Sequence, residues 1–91
     1  MNPLKQESLE ILESFNIAPN STIEFSVNEQ SYTLSYEWII DSFLQANEES
    51  QILFVTALKK AAKSDNIGVE KFFEGMGQLI LMTHLSQKVT L

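Results

Sequence analysis

The chain has 91 residues and no cysteine, and 44% of its residues are hydrophobic, with only three glycines and two prolines. This composition predicts one small folded domain without disulfide bonds, and it excludes the intrinsically disordered class. The formal net charge is −6 and arginine is absent. We therefore expect no direct binding to nucleic acid, which requires a basic surface.

Charge is divided unevenly between the two halves of the chain. Residues 1–49 hold nine acidic side chains against one lysine, whereas residues 50–91 hold three acidic side chains against five lysines. An acidic half of this kind suits solubility, or it suits a partner with a basic surface.

Targeting signals are not evident in the sequence. The N-terminus lacks the charged start and apolar stretch of a secretory signal, and apolar runs such as Leu79 to Met82 do not exceed four residues. A transmembrane helix needs about 20 such residues, so we expect no membrane span. Together with the absence of cysteine, this leads us to expect a cytoplasmic location.

The first predicted element is a helix over residues 3–15. Asn2 can cap its free N–H groups, and Pro3 suits the first helical position. One helical stripe of this segment consists of Leu4, Ser8, Ile11, Leu12 and Phe15. Asn16 is expected to end the helix in the left-handed conformation.

Strict alternation of apolar and polar residues over 22–36 predicts a β-hairpin. Pairing Val27 with Tyr32 would set Phe25 opposite Leu34 and Ile23 opposite Tyr36, which places these six large side chains on one face. Two strands are marginally stable alone, so we expect helices to cover that face. The outer edges of the two strands are a candidate contact surface.

Three further helices are predicted, over residues 36–46, 48–63 and 67–86. Ser35 and Asn47 can cap the first two, and Asn66 or Asp65 can cap the third. The predicted fold class is therefore α+β: an N-terminal helix, a two-stranded antiparallel hairpin, and about three helices packed on one face of the hairpin.

Two glycines, Gly75 and Gly77, lie inside the fourth predicted helix. Each costs on the order of 1 kcal/mol relative to alanine in a helix interior. We expect either the close approach of another backbone or a kink to account for them.

The fourth predicted helix is also the main candidate for a contact surface. Its segment from Leu79 to Leu85 is apolar around most of its circumference, which indicates burial on more than one side. Either the other helices surround it, or it associates with a partner. The candidate interface residues are Phe72, Phe73, Met76, Leu79, Ile80, Leu81, Met82 and Leu85.

Few residues of the sequence suit catalysis or metal binding. His84 is the only histidine, and no cysteine or second histidine accompanies it at a metal-binding spacing. Glu37 and Asp41 lie one helical turn apart, and we interpret them as a solvated face rather than a catalytic pair. We therefore expect no cofactor, no metal and no small-molecule substrate.

These observations favour a small, acidic, non-enzymatic protein that works through protein–protein contacts as a regulatory or adaptor-like homodimer. Its partner would be a protein, including a second copy of itself. One alternative is an acidic inhibitor, such as a nucleic-acid mimic of the phage or plasmid type, that blocks a basic site. A third hypothesis is a small enzyme, which would need a pocket holding His84 with a carboxylate.

Overall fold

The structure is a computed structural model that describes residues 2–64 and 66–89, with side chains described for 2–64 and 67–83. Its elements in chain order are α1 (Pro3–Ser14), β1 (Thr22–Val27), β2 (Gln30–Ser35), α2 (Tyr36–Phe43), α3 (Glu48–Ala62) and α4 (Asn66–Val89). Helix α4 packs on β1 and α2 packs on β2, while α3 packs on the other helices, so the predicted α+β class is confirmed.

Helices α1, α2 and α3 each begin directly after the residue that the sequence predicts as its cap. The capping side chains are Asn2, Ser35 and Asn47, and each accepts a hydrogen bond of 2.8–3.0 Å from a backbone N–H two or three residues ahead. Asn16, with φ of 59°, follows α1 in the left-handed conformation. Local capping chemistry thus accounts for where these helices start.

Helix α2 is shorter than its predicted range of 36–46. It ends at Phe43, because the N–H of Ala46 turns back to the carbonyl of Phe43 at 3.2 Å instead of continuing the helix. Helix α4 is longer than its predicted range of 67–86, because it continues to Val89.

The predicted pairing of the hairpin is wrong by two residues. Phe25 lies opposite Tyr32 and Val27 lies opposite Gln30, because Asn28 and Glu29 alone form the turn, with φ of 52° and 66°. Positive φ at both positions is the geometry of the common two-residue hairpin turn. A shift of two residues keeps the side chains of the strands on their predicted faces, so the apolar face survives the correction, although Tyr36 begins α2 and is not part of the hairpin.

One hydrophobic core joins the hairpin to the helices. Its fully buried apolar side chains are Leu12, Ile39, Ile40, Leu58, Val69 and Phe73. Ile23 and Leu34 of the hairpin pack against this core, and Phe25 and Val27 are also buried, with exposed fractions of 6% and 8%. Among the described residues the sheet has two strands only, so no third strand pairs with either outer edge.

Gly77 is the position at which α4 approaches the hairpin. A Cβ atom added there would lie 2.8 Å from Cζ of Phe25 and 3.4 Å from Cδ1 of Ile39. The predicted close approach is therefore made by a side chain of β1 rather than by another backbone. Gly75, in contrast, has open space around the position of a Cβ atom, and nothing in the structure explains the glycine there.

The two glycines make a matched pair for testing this contact. We expect Gly77→Ala to lower the free energy of unfolding by about 1–3 kcal/mol, because the new Cβ atom would lie within 3 Å of the buried Phe25 ring, which must shift. Gly75→Ala should raise it by about 0.5–1 kcal/mol, since alanine is the better helix former. Urea unfolding of both variants checks this, and equal stabilisation by both would contradict the close approach.

Candidate interaction surface

Helix α4 has both an inward and an outward apolar face. Phe73 is fully buried in the core, so in this fold it is not available to a partner, whereas Leu79 and Met82 are 51% and 56% exposed. Phe72, Met76, Ile80 and Leu81 are partly buried. The side chain of Leu85 lies outside the described residues. The inner side of α4 is thus covered by the rest of the fold, whereas its outer side stays exposed.

Two neighbouring cavities meet at Phe43, and we call them together the Phe43 groove. The first, of about 280 Å³, lies between α3 and α4 and is lined by Phe43, Ser50, Leu53, Phe54, Ala57, Phe72 and Met76. The second, of about 260 Å³, lies between the end of α2 and α4 and is lined by Ser42, Phe43, Ala46, Leu79, Ile80 and Thr83. Four of the eight predicted interface residues line this groove.

Stacked aromatic rings form the floor of the groove. The rings of Phe43 and Phe54 are nearly parallel, with centroids 4.7 Å apart and 9° between their planes. The centroid of the Phe54 ring also lies 5.5 Å from that of Phe72 and 6.3 Å from that of Phe73. Because Phe54 and Phe73 are buried in the core, the floor is held in place by the same packing that holds the fold.

Helix α3 supplies the other side of the groove. Ile52 and Leu53 are 49% and 62% exposed, and they line a shallow cavity of about 450 Å³ with Glu48 and Glu49. The sequence interpretation missed this side. A signal was present, since Ile52 and Leu53 lie outside the apolar stripe that faces the core.

Ion pairs reduce the charge of the acidic half of the chain. Lys5 lies 3.0 Å from Asp41 and 3.4 Å from Glu37, and Lys59 lies 3.2 Å from Glu7. The hydrogen bond to Asp41, with the charges of both carboxylates, raises the pKa of Lys5. Glu37 and Asp41 therefore share a lysine and are partly exposed, in agreement with a solvated face.

Within the part of the chain that the structure describes, no group of three or more His, Cys, Asp and Glu side chains is placed to hold a metal ion. The enzyme hypothesis depends on His84, whose side chain lies outside the described residues. Among the helices searched, none is both long and apolar enough to cross a membrane.

Comparisons with protein-family models, with curated proteins and with solved structures found no match to this chain. The residues of the surface itself are therefore the basis for a functional proposal.

The buried aromatic rings of the core include one titratable side chain, that of Tyr36. Tyr36 is 5% exposed, and its ring contacts that of Phe73 with centroids 4.9 Å apart. Burial raises the pKa of Tyr36, and the negative charge of Glu70 raises this pKa further. The folded state thus holds the phenolic proton more tightly than the unfolded state does.

We expect the free energy of unfolding to fall as the pH rises above about 10, because tyrosine ionises there in the unfolded chain first. The raised pKa of Lys5 also makes the free energy of unfolding fall as the pH rises in this range. Tyr36→Phe keeps the ring and removes the ionisation, so it should reduce this alkaline loss. Urea unfolding between about pH 8 and about pH 11 measures it.

Tyr32→Phe is the matched control, because Tyr32 lies on the hairpin, where its hydroxyl donates to the Gln30 side chain at 3.0 Å. This substitution should leave the loss of stability at alkaline pH unchanged. If Tyr36→Phe lost stability with pH as steeply as Tyr32→Phe does, the burial of the Tyr36 hydroxyl would not matter to stability.

Proposed function

We propose that this protein acts by binding proteins rather than by catalysis, and that it associates with a second copy of itself as a regulatory or adaptor-like homodimer. One observation carries the proposal. Leu53 on α3 and Leu79 on α4 are both more than half exposed, and each lines one of the two cavities of the Phe43 groove.

The chemistry of the groove supports protein binding. Phenylalanine and methionine are enriched in the centres of protein interfaces, and methionine adapts its shape to a partner. Phe43, Phe72 and Met76 supply these residue types here. Covering Leu53 and Leu79 would stabilise a complex by on the order of 1 kcal/mol for each side chain.

Self-association suits this surface because a two-fold dimer uses the same patch twice. Each exposed leucine would then be covered once in each chain, which doubles the apolar area removed from water. The alternative of an acidic inhibitor gains no comparable support. Glu7, Glu37 and Asp41, three of the nine acidic side chains in the N-terminal half, are already paired with lysines.

Light scattering after size-exclusion chromatography tests this proposal. We expect twice the chain mass of 10.3 kDa at concentrations of tens of micromolar, consistent with a modest interface. Leu79→Glu should shift the protein towards the single-chain mass, because it places a charge against the groove.

Ile67→Glu is the matched control for this substitution. Ile67 is also on α4 and is 59% exposed, but it lines none of the cavities of the groove. It should leave the dimer intact. A single-chain mass for the unmodified protein at every concentration would overturn the homodimer.

A further inference from the structure

The outer face of α3 carries a pattern that is complementary to itself. Its exposed positions Glu49, Leu53, Thr56 and Lys60 follow one another at spacings of four, three and four residues. This alternation is the spacing of a helix-pairing seam, in which successive residues stay on one side of the helix. The acidic residue stands at the start of the seam and the lysine at its end.

Neither charged end of the seam is neutralised by a described side chain. Among the described residues, Glu49 and Lys60 take part in no ion pair, whereas the neighbouring Lys59 is bound to Glu7. Both are exposed. They are therefore available to side chains of a partner.

One antiparallel register gives every residue of the seam a partner in the second copy. When α3 meets a second α3 around a two-fold axis at the midpoint between Phe54 and Val55, Glu49 of one chain stands opposite Lys60 of the other. The same register sets Leu53 opposite Thr56 and Ile52 opposite Ala57. Every pair forms twice, as a two-fold interface requires.

We infer that the homodimer proposed above is formed by antiparallel pairing of α3 with α3 of a second copy, with the Glu49–Lys60 pairs setting the direction and register. This inference rests on the proposed function and adds the partner's orientation to it. Charge complementarity argues for a second copy as the occupant, because the acidic and basic ends of one seam fit an inverted copy of that same seam.

The pairing also covers the most exposed apolar residue of the α3 side. Leu53 is 62% exposed and belongs both to the seam and to the lining of the Phe43 groove. Helix α3 has 15 residues, a length of about 22 Å, which is short for a stable interface. The adjacent α4 side of the groove, including Leu79, is the surface available to complete it.

Charge reversal provides the test, with dimer dissociation measured by sedimentation equilibrium at low ionic strength. Glu49→Lys and Lys60→Glu should each weaken the dimer on the order of tenfold, because each places like charges opposite one another at two sites. The double variant E49K/K60E should recover the affinity of the unmodified protein, since the pairs form again with their signs exchanged.

The double variant separates an interface effect from a loss of helix stability. Each reversal also places the wrong charge near an end of the α3 dipole, so a purely structural effect would make the double variant the weakest dimer of the three. Glu24→Lys, on the polar face of β1, and Lys71→Glu, on an exposed position of α4, repeat the net charge changes away from the seam. Both controls should leave the dissociation constant unchanged.

The outcomes distinguish the inference from the proposed function. A dimer that Leu79→Glu weakens but the α3 charge reversals do not would overturn the α3 pairing and leave the homodimer standing. Binding to another protein by a chain that never dimerises would overturn the α3 pairing and the homodimer together. A double variant that stays as weak as the single variants would overturn the Glu49–Lys60 register.

Cysteine crosslinking tests the orientation separately, because the natural chain has no cysteine. An equal mixture of Leu53→Cys and Thr56→Cys chains should oxidise mainly to the mixed disulfide, since these positions stand opposite one another in the antiparallel register. Disulfides formed mainly between identical chains would overturn that register.

Discussion

The packing of α4 across the apolar face of the hairpin is the contact on which the fold depends. Two strands alone do not form a stable unit in water, and the Phe25 ring reaches α4 only because Gly77 has no side chain. Phe73, close by on the same helix, contacts the rings of Tyr36, Phe54 and Phe72. The inner face of α4 thus joins the hairpin to α2 and α3.

This use of the inner face explains why apolar surface remains on the outside. Only one side of α4 can face the core, and Val69, Phe73 and Gly77 lie buried on that side. Leu79 and Met82 then point away from the core, next to the groove that the short helix α2 leaves open after Phe43. Within the described residues both side chains stay exposed, and a second copy of the chain is the cover that we propose.

The sequence predicted those features that depend on local chemistry. Asn2, Ser35 and Asn47 cap their helices because their side chains can reach free N–H groups a few residues ahead. The hairpin faces were predicted because burial of one face requires alternation. The pairing register was not, since a shift of two residues leaves that alternation unchanged, and only the turn conformation of Asn28 and Glu29 decides it.

The candidate surface was predicted in part for a related reason. Periodicity groups Leu79 with the main apolar stripe that includes Phe73 and places Met82 off that stripe, but it does not show that both side chains remain exposed. That depends on where α2 ends and how α3 crosses α4. The exposed pair Ile52 and Leu53 on α3 was missed, because the stripe formed by Phe54, Ala57 and Leu58 was sufficient to explain the helix.

Amide hydrogen exchange of the unmodified protein at increasing concentration addresses the proposed self-association most directly. Association through α3 and the Phe43 groove should slow exchange with rising concentration in α3 and in the neighbouring part of α4, while β1 and β2 remain unchanged. Exchange that does not depend on concentration, or slowing confined to the edges of the hairpin, would contradict it.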